Sequence, residues 1–316
     1  MNIKQFTSGA SVSIPRCTQY DIESEVSKRK YRIFIYNPGI EAPVNGFPVV
    51  VMVDGNLCFP IAATMATTFE LTGKPVIVVG IGYQSDDYKN ILVLRARDLT
   101  SSAPASANPQ TSVQSNNNES LYGGAELFYE FITNELIPNL STTYKIDKNN
   151  TAIYGHSVGG LFATEVLLKY PHSFSRFIIS SPSLWWNKNS TLRLLKQFET
   201  IITGKSKMPK ILFFVGEQEE DAPKVLPPSI KGILDKKTPI LPKFLKGIVA
   251  KVVVKKMIKS WAMINNVNEL VLEINKLDSN KNCLAQLTIL RNEDHLTALP
   301  SSITQGIANF IGYNIA

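Results

Sequence analysis

The pentapeptide Gly155-His156-Ser157-Val158-Gly159 sets one hydroxyl between two glycines. That spacing suits covalent catalysis. When a buried strand turns directly into a helix, the residues around a serine at the turn must be small, and the hydroxyl is held out of the turn. Thr151-Ala152-Ile153-Tyr154 has the character of the strand, and Val158-Gly159-Gly160-Leu161-Phe162-Ala163 opens the helix. A glycine-rich turn with serine as a helix N-cap uses the same residue types. The strand before and the helix after favour Ser157 as a nucleophile.

A serine hydroxyl is a poor nucleophile at neutral pH. It needs a base to take its proton and a carboxylate to orient that base. On α/β folds that carry such a turn, the chain order is serine, acid, histidine. The chain has three histidines. His156 is inside the turn, and His172 sits in the loop Tyr170-Pro171-His172-Ser173. His295 follows the apolar run 287–290 and the short loop Arg291-Asn292-Glu293-Asp294. That places it at the same sheet edge as Ser157, and it is the expected base. The acid is expected after the run 210–215, where Gly216-Glu217-Gln218-Glu219-Glu220-Asp221 offers four carboxylates. Glu219 is the first choice and Glu217 the next. Acyl transfer also needs preorganised N–H donors for its oxyanion. The amide of Val158 is one expected donor. The other is the amide of Asn56, in the loop Asp54-Gly55-Asn56.

These residues need a scaffold. Short apolar runs at 29–36, 49–53, 75–80, 151–154, 176–179, 210–215 and 287–290 read as strands. Helix-length stretches lie at 60–71, 123–137, 158–169, 190–203, 260–277 and 301–312. Their alternation implies right-handed crossovers and an α/β fold: a mostly parallel central sheet with helices on both faces.

The 316 residues, 44% hydrophobic and 19% charged, suit one globular domain over 1–316. Two stretches interrupt it. Residues 100–119 are rich in Ser, Ala, Asn and Pro and read as a polar surface loop. Residues 222–260 hold ten lysines and one acid, Asp235, and read as an insertion or cap. The net charge of +7 is therefore local, and the rest of the chain is slightly negative. That argues against nucleic acid as a partner. The lysines of 243–261 scatter around a helical wheel, so a membrane-surface helix is not expected. The first 25 residues carry no apolar secretion core, and no run approaches the roughly 20 apolar residues a spanning helix needs. A cytoplasmic protein is expected. Cys17, Cys58 and Cys283 are far apart. They fit neither a disulfide framework nor a zinc site, and neither a metal nor an organic cofactor is expected.

The run Tyr154–Phe162, followed by Ser180-Ser181-Pro182-Ser183-Leu184-Trp185-Trp186-Asn187, resembles the siderophore-esterase branch of the α/β-hydrolases. Ferric-enterobactin, salmochelin and bacillibactin hydrolases belong to that branch. Val53-Asp54-Gly55-Asn56, Val79-Gly80-Ile81-Gly82-Tyr83, Arg95-Ala96-Arg97-Asp98-Leu99-Thr100, Gly123-Gly124-Ala125 and Glu293-Asp294-His295 extend the likeness. It runs from about Pro15 to Tyr313. The resemblance implies an α/β-hydrolase fold and hydrolysis of the ester bonds of a catecholate trilactone, a small-molecule partner that can carry ferric iron. It also implies Ser157 and His295 as the catalytic pair. The basic stretch 222–260 departs from the family's pattern. On this reading Trp185 and Trp186 emerge at the catalytic edge, where aromatics could stack on a catechol or an acyl group, with core packing as the other use. Arg95 and Arg97 could grip anionic catecholate oxygens, or pair with Asp98 or another acid. Other readings on the same residues are a general carboxylesterase or acyl-thioester hydrolase, an acyltransferase, and a non-catalytic binding protein.

Overall fold

The computed structural model describes residues 12–104, 120–202, 208–221, 255–256, 259–277 and 285–313. Most of the expected loop 100–119 and of the expected insertion 222–260 lies outside the described residues.

Eight strands form one sheet: β1 Cys17–Glu23, β2 Lys30–Tyr36, β3 Phe47–Met52, β4 Ile77–Gly82, β5 Ile146–His156, β6 Arg176–Ser180, β7 Lys210–Gly216 and β8 Ala285–Leu290. Their order is β1-β2-β4-β3-β5-β6-β7-β8. The β1–β2 and β2–β4 pairs are antiparallel, and every pair from β4 to β8 is parallel. Among the described residues, the α-helices that frame the sheet are α1 Gly55–Leu71, α2 Tyr88–Asp98, α3 Ala125–Glu130, α4 Ile137–Thr143, α5 Val158–Lys169, α6 Lys188–Ile202, α7 Met263–Leu277 and α8 Ala298–Phe310. A π-helical segment, Phe131–Leu136, joins α3 to α4.

Side chains alternate across a strand, and the central strands are apolar at both parities. Val49 and Val51 of β3 face one cluster with Ile77 and Val79 of β4, packed with residues of α3 to α7. Val50, Met52 and Val78 face the other, packed under α1 and α8. The sheet is thus covered on both faces, as the unbroken valine and isoleucine runs required. This is the α/β-hydrolase architecture.

Three departures from the sequence reading have physical causes. β1 was not expected because its residues are mostly exposed; an antiparallel edge strand needs no apolar face. Helix α1 begins at Gly55, five residues before the expected start at residue 60. Pro60 lies inside the helix, about one turn after its start, where its missing N–H removes a single backbone bond. Helix α2 was missed because it carries no clear apolar stripe: Arg97 and Asp98 are buried, Ile91 and Leu94 are only partly buried against the core, and Leu92 and Val93 are exposed.

Candidate active site

Ser157 ends the path from β5 into α5. Its backbone has φ 60° and ψ −118°, a region that costs a non-glycine residue on the order of 1–3 kcal/mol. The surroundings hold it there. Its N–H donates to the Ser180 carbonyl at 3.0 Å, and its own carbonyl accepts from Leu161 N at 2.9 Å and Ser183 N at 3.0 Å. The flanking glycines are sterically required. A Cβ on Gly155 would overlap the Gly159 carbonyl, and one on Gly159 would come within 2.8 Å of Val53 Cγ2.

His295 lies in the segment between β8 and α8. Its Nε2 is 3.1 Å from Ser157 Oγ, and its Nδ1 is 2.8 Å from Glu219 Oε2. A carboxylate only accepts, so Nδ1 carries the proton and Nε2 is free to accept from the serine hydroxyl. Glu219 has no side-chain exposure, whereas His295 is 39% exposed. The difference suits a buried orienter and a ring that substrate can reach. The other Glu219 oxygen accepts from Gly216 N at 2.7 Å and from Ser181 Oγ. Ser181 is itself in the positive-φ region, at 43°, which turns its hydroxyl toward the acid. No role had been read for it, because neither its type nor its spacing signals one.

The neighbouring carboxylates do other work. Glu217 accepts from Asn292 N at 2.9 Å and so braces the loop before His295. Glu220 accepts from Ile264 N at 3.0 Å at the start of α7. Asp221 is exposed.

The helices α1 and α5 follow neighbouring parallel strands, β3 and β5. Their N-termini therefore lie side by side, and the first amides of each helix have no intrahelical acceptor. Asn56 and Val158 supply such amides. The Asn56 side chain is spent on Tyr83: Oδ1 accepts from its N–H at 2.7 Å and Nδ2 donates to its carbonyl at 3.0 Å.

Ser157, His295 and Asn56 open on a cleft of about 430 Å³. Leu57, Tyr88, Leu92 and Leu296 form its rim, and all four are exposed. Of the residues with two uses open, substrate contact or packing and pairing, three do not line this cleft. Arg97 is buried and pairs with Asp98 at 2.8 Å, as does Arg29 at 2.6 Å; it does not line the cleft. Trp185 and Trp186 are carried off by the 3₁₀ turn Leu184–Asn187. Trp185 stacks on Trp261 at 4.9 Å, while Trp186 donates to the Ser102 carbonyl at 2.9 Å and meets Tyr122 edge-on. Neither lines the cleft. Arg95 does line it, but its guanidinium is held by Asp54 at 2.6 and 2.9 Å.

His156, passed over in the sequence, is buried against the site. Its ring centre is 4.8 Å from that of His295, and Nδ1 is 3.0 Å from Ser180 Oγ. Burial first, then the nearby His295 and Arg95, holds its pKa well below the ordinary histidine value. Cys58 is buried in α1, and burial pushes its thiol far above the usual range, which leaves it inert as a nucleophile. Among the described residues, no cluster of three or more His, Cys, Asp or Glu could hold a metal ion, and no helix is long and apolar enough to cross a membrane.

The profile of the family described as "Putative esterase" matches residues 24–238. The ferri-bacillibactin esterase BesA of Bacillus subtilis is 33% identical over 216 residues, 66% of this chain and 72% of that protein. The siderophore triacetylfusarinine C esterase of Aspergillus fumigatus is 32% identical over 183 residues, 56% of this chain and 58% of that protein. The structure of the siderophore hydrolase EstB from Aspergillus nidulans superposes with a TM-score of 0.72 at 25% identity, covering 96% of this chain and 97% of that one.

Proposed function

Because the chain belongs to this esterase family, we propose that it hydrolyses the ester bonds of a siderophore through an acyl-enzyme on Ser157. The observation that carries the mechanism is the hydrogen-bonded series Ser157 Oγ, His295 Nε2, His295 Nδ1, Glu219 Oε2, in which Ser157 and His295 line one cleft and Glu219 is buried behind them.

The steps follow from that geometry. Ser157 Oγ attacks the ester carbonyl carbon as its proton passes to His295 Nε2. Glu219 holds the ring in the right tautomer and stabilises the imidazolium that forms. The carbonyl oxygen becomes an oxyanion facing the Val158 and Asn56 amides, with the N-terminal ends of α1 and α5 behind them. The intermediate collapses as His295 returns the proton to the leaving alkoxide oxygen. Water, activated by the same ring, then attacks the acyl-enzyme and frees the acid. A single sheet carries every residue in this scheme, which supports the single-domain reading.

Two features support a bulky ester as substrate. Leu57, Leu92 and Leu296 give the rim apolar surface beside Ser85 and Asp86, and the cleft volume fits within the range of small-molecule sites. The relatives named for siderophore esters supply the class. A catecholate trilactone is the first substrate to test, offered with and without ferric iron beside a hydroxamate-type siderophore ester and short-chain p-nitrophenyl esters. Release of the linear ester, followed by chromatography, is the expected result for at least one siderophore. Rapid turnover of the short esters with every siderophore intact would reduce the reading to a general carboxylesterase.

A further inference from the structure

Of the two uses open to Arg95, gripping an anionic substrate or pairing with an acid, the structure shows the pairing, and three of its donor bonds are spent inside the protein. Nε donates to Asp54 Oδ1 at 2.6 Å, Nη2 to Asp54 Oδ2 at 2.9 Å, and Nη2 again to the His156 carbonyl at 3.1 Å. Both side chains of the pair are largely buried, with 18% and 9% exposure. These contacts join two turns that the chain keeps a hundred residues apart. Asp54 is the left-handed residue that starts α1, two positions before Asn56. His156 is the last residue of β5, one position before Ser157.

We propose that Arg95 is a positioning residue: it clips the β3–α1 turn to the β5–α5 turn and so sets the spacing of the Asn56 and Val158 amides that receive the oxyanion. The proposal rests on the Ser157 mechanism above. Each turn is fixed through a different group. At Asp54 the carboxylate is gripped bidentately, while its backbone carbonyl accepts from Leu57 N at 2.9 Å and Cys58 N at 3.0 Å. The turn that begins α1 is therefore tied on both sides. In the second turn, the peptide plane between His156 and Ser157 is pinned at both ends. Arg95 holds its carbonyl, and Ser180 O holds its N–H at 3.0 Å. The strained Ser157 backbone and the Val158 amide follow from that plane. Arg95 also cancels the Asp54 charge, which would otherwise oppose an oxyanion formed beside it. A lysine could neutralise Asp54, but a point ammonium lacks the fork that spans both turns.

The test is steady-state kinetics on two p-nitrophenyl esters of similar size, one with a neutral acyl group and one with an anionic acyl group. Wild type, Arg95→Lys, Arg95→Met and the double variant Asp54→Asn/Arg95→Met, whose asparagine tolerates the left-handed backbone at 54, are compared, with unfolding midpoints measured alongside. Arg95→Met should lower kcat about 10²-fold or more on both esters, since loss of one aligned oxyanion donor costs about 10²–10³; KM should move less than about threefold. Arg95→Lys should recover stability but not kcat. The double variant removes the buried pair without stranding a charge, so it should stay folded and still be slow. Wild-type kcat in the folded double variant would overturn the proposal. So would a rise in KM confined to the anionic ester, which would return Arg95 to substrate binding. Wild-type turnover surviving Ser157→Ala would instead remove the mechanism on which the proposal stands, and the two failures are distinguishable.

Discussion

Two turns of this molecule are built alike. Each follows a central parallel strand, β3 or β5, and each starts a helix from a non-glycine residue at positive φ: Asp54 at 58° and Ser157 at 60°. They differ in what the side chain does next. Asp54 turns into the protein and is fixed by Arg95. Ser157 faces the cleft, and its closest side-chain partner is the ring of His295, with Ser183 Oγ at 3.5 Å. One turn spends its side chain on rigidity and offers a backbone amide; the other is held by backbone bonds and offers its side chain. Strand, turn and helix are a common frame, and the chemistry lies in which group is left uncommitted.

The comparison can be broken most forcefully at Ser157. Ser157→Ala should lower kcat on p-nitrophenyl acetate by a factor on the order of 10⁶, the scale seen when a triad nucleophile is removed. Retained turnover would mean that the uncommitted side chain is not the reacting one. His295→Ala should cost about 10³-fold or more, because members of such a unit fail together. Glu219→Gln should follow, with a loss on the order of 10⁴ at most, since the ring then loses its fixed tautomer. Glu217→Gln should leave kcat within a few fold. The reverse ranking of the two glutamates would shift the acid to Glu217.

At the other turn the expected effects are smaller. Asn56→Ala keeps the backbone amide and removes the two bonds to Tyr83. It should cost about 1–3 kcal/mol in urea unfolding and only about tenfold in kcat. A loss as large as that of Ser157→Ala would show that the Asn56 side chain itself acts in the reaction.

The mildest test concerns His156, which burial keeps neutral, with its pKa well below the ordinary 6.5. As pH falls through 6.5 the unfolded chain gains a proton there and the folded chain does not. Stability present above pH 6.5 is therefore lost on acidification, by up to about 1.4 kcal/mol per pH unit. In urea titrations between pH 7 and 5, His156→Gln should show a shallower decline than wild type. Parallel declines would remove His156 as a source of acid sensitivity.

The legible parts of the sequence were those fixed by short-range sterics. The β5–α5 turn could be read because glycine alone fits beside Ser157, and the covered sheet because its strands are apolar at both parities. His295 emerged because few histidines competed for the place. The carboxylates after β7 could not be ranked from their order. Four acids stand within five residues, and only their partners separate them: Ser181 and Gly216 for Glu219, Asn292 for Glu217, Ile264 for Glu220. Helix α2 was illegible for a related reason. Its most buried residues, Arg97 and Asp98, are charged, and charges read as surface until their partners are known.

The sequence by itself therefore determined the alternation of strands and helices, the place of the serine and the sheet edge at which Ser157 and His295 meet. All of these follow from local packing and chain direction. Only the tertiary structure decided which acid meets His295, that Arg97 pairs with Asp98 while Trp185 and Trp186 pack on Trp261 and Tyr122, and that Arg95 is committed to Asp54 and His156. A long side chain leaving a helix or loop can swing several ångströms either way. Its target is chosen by residues tens to more than a hundred positions distant, which approach only when the sheet has closed.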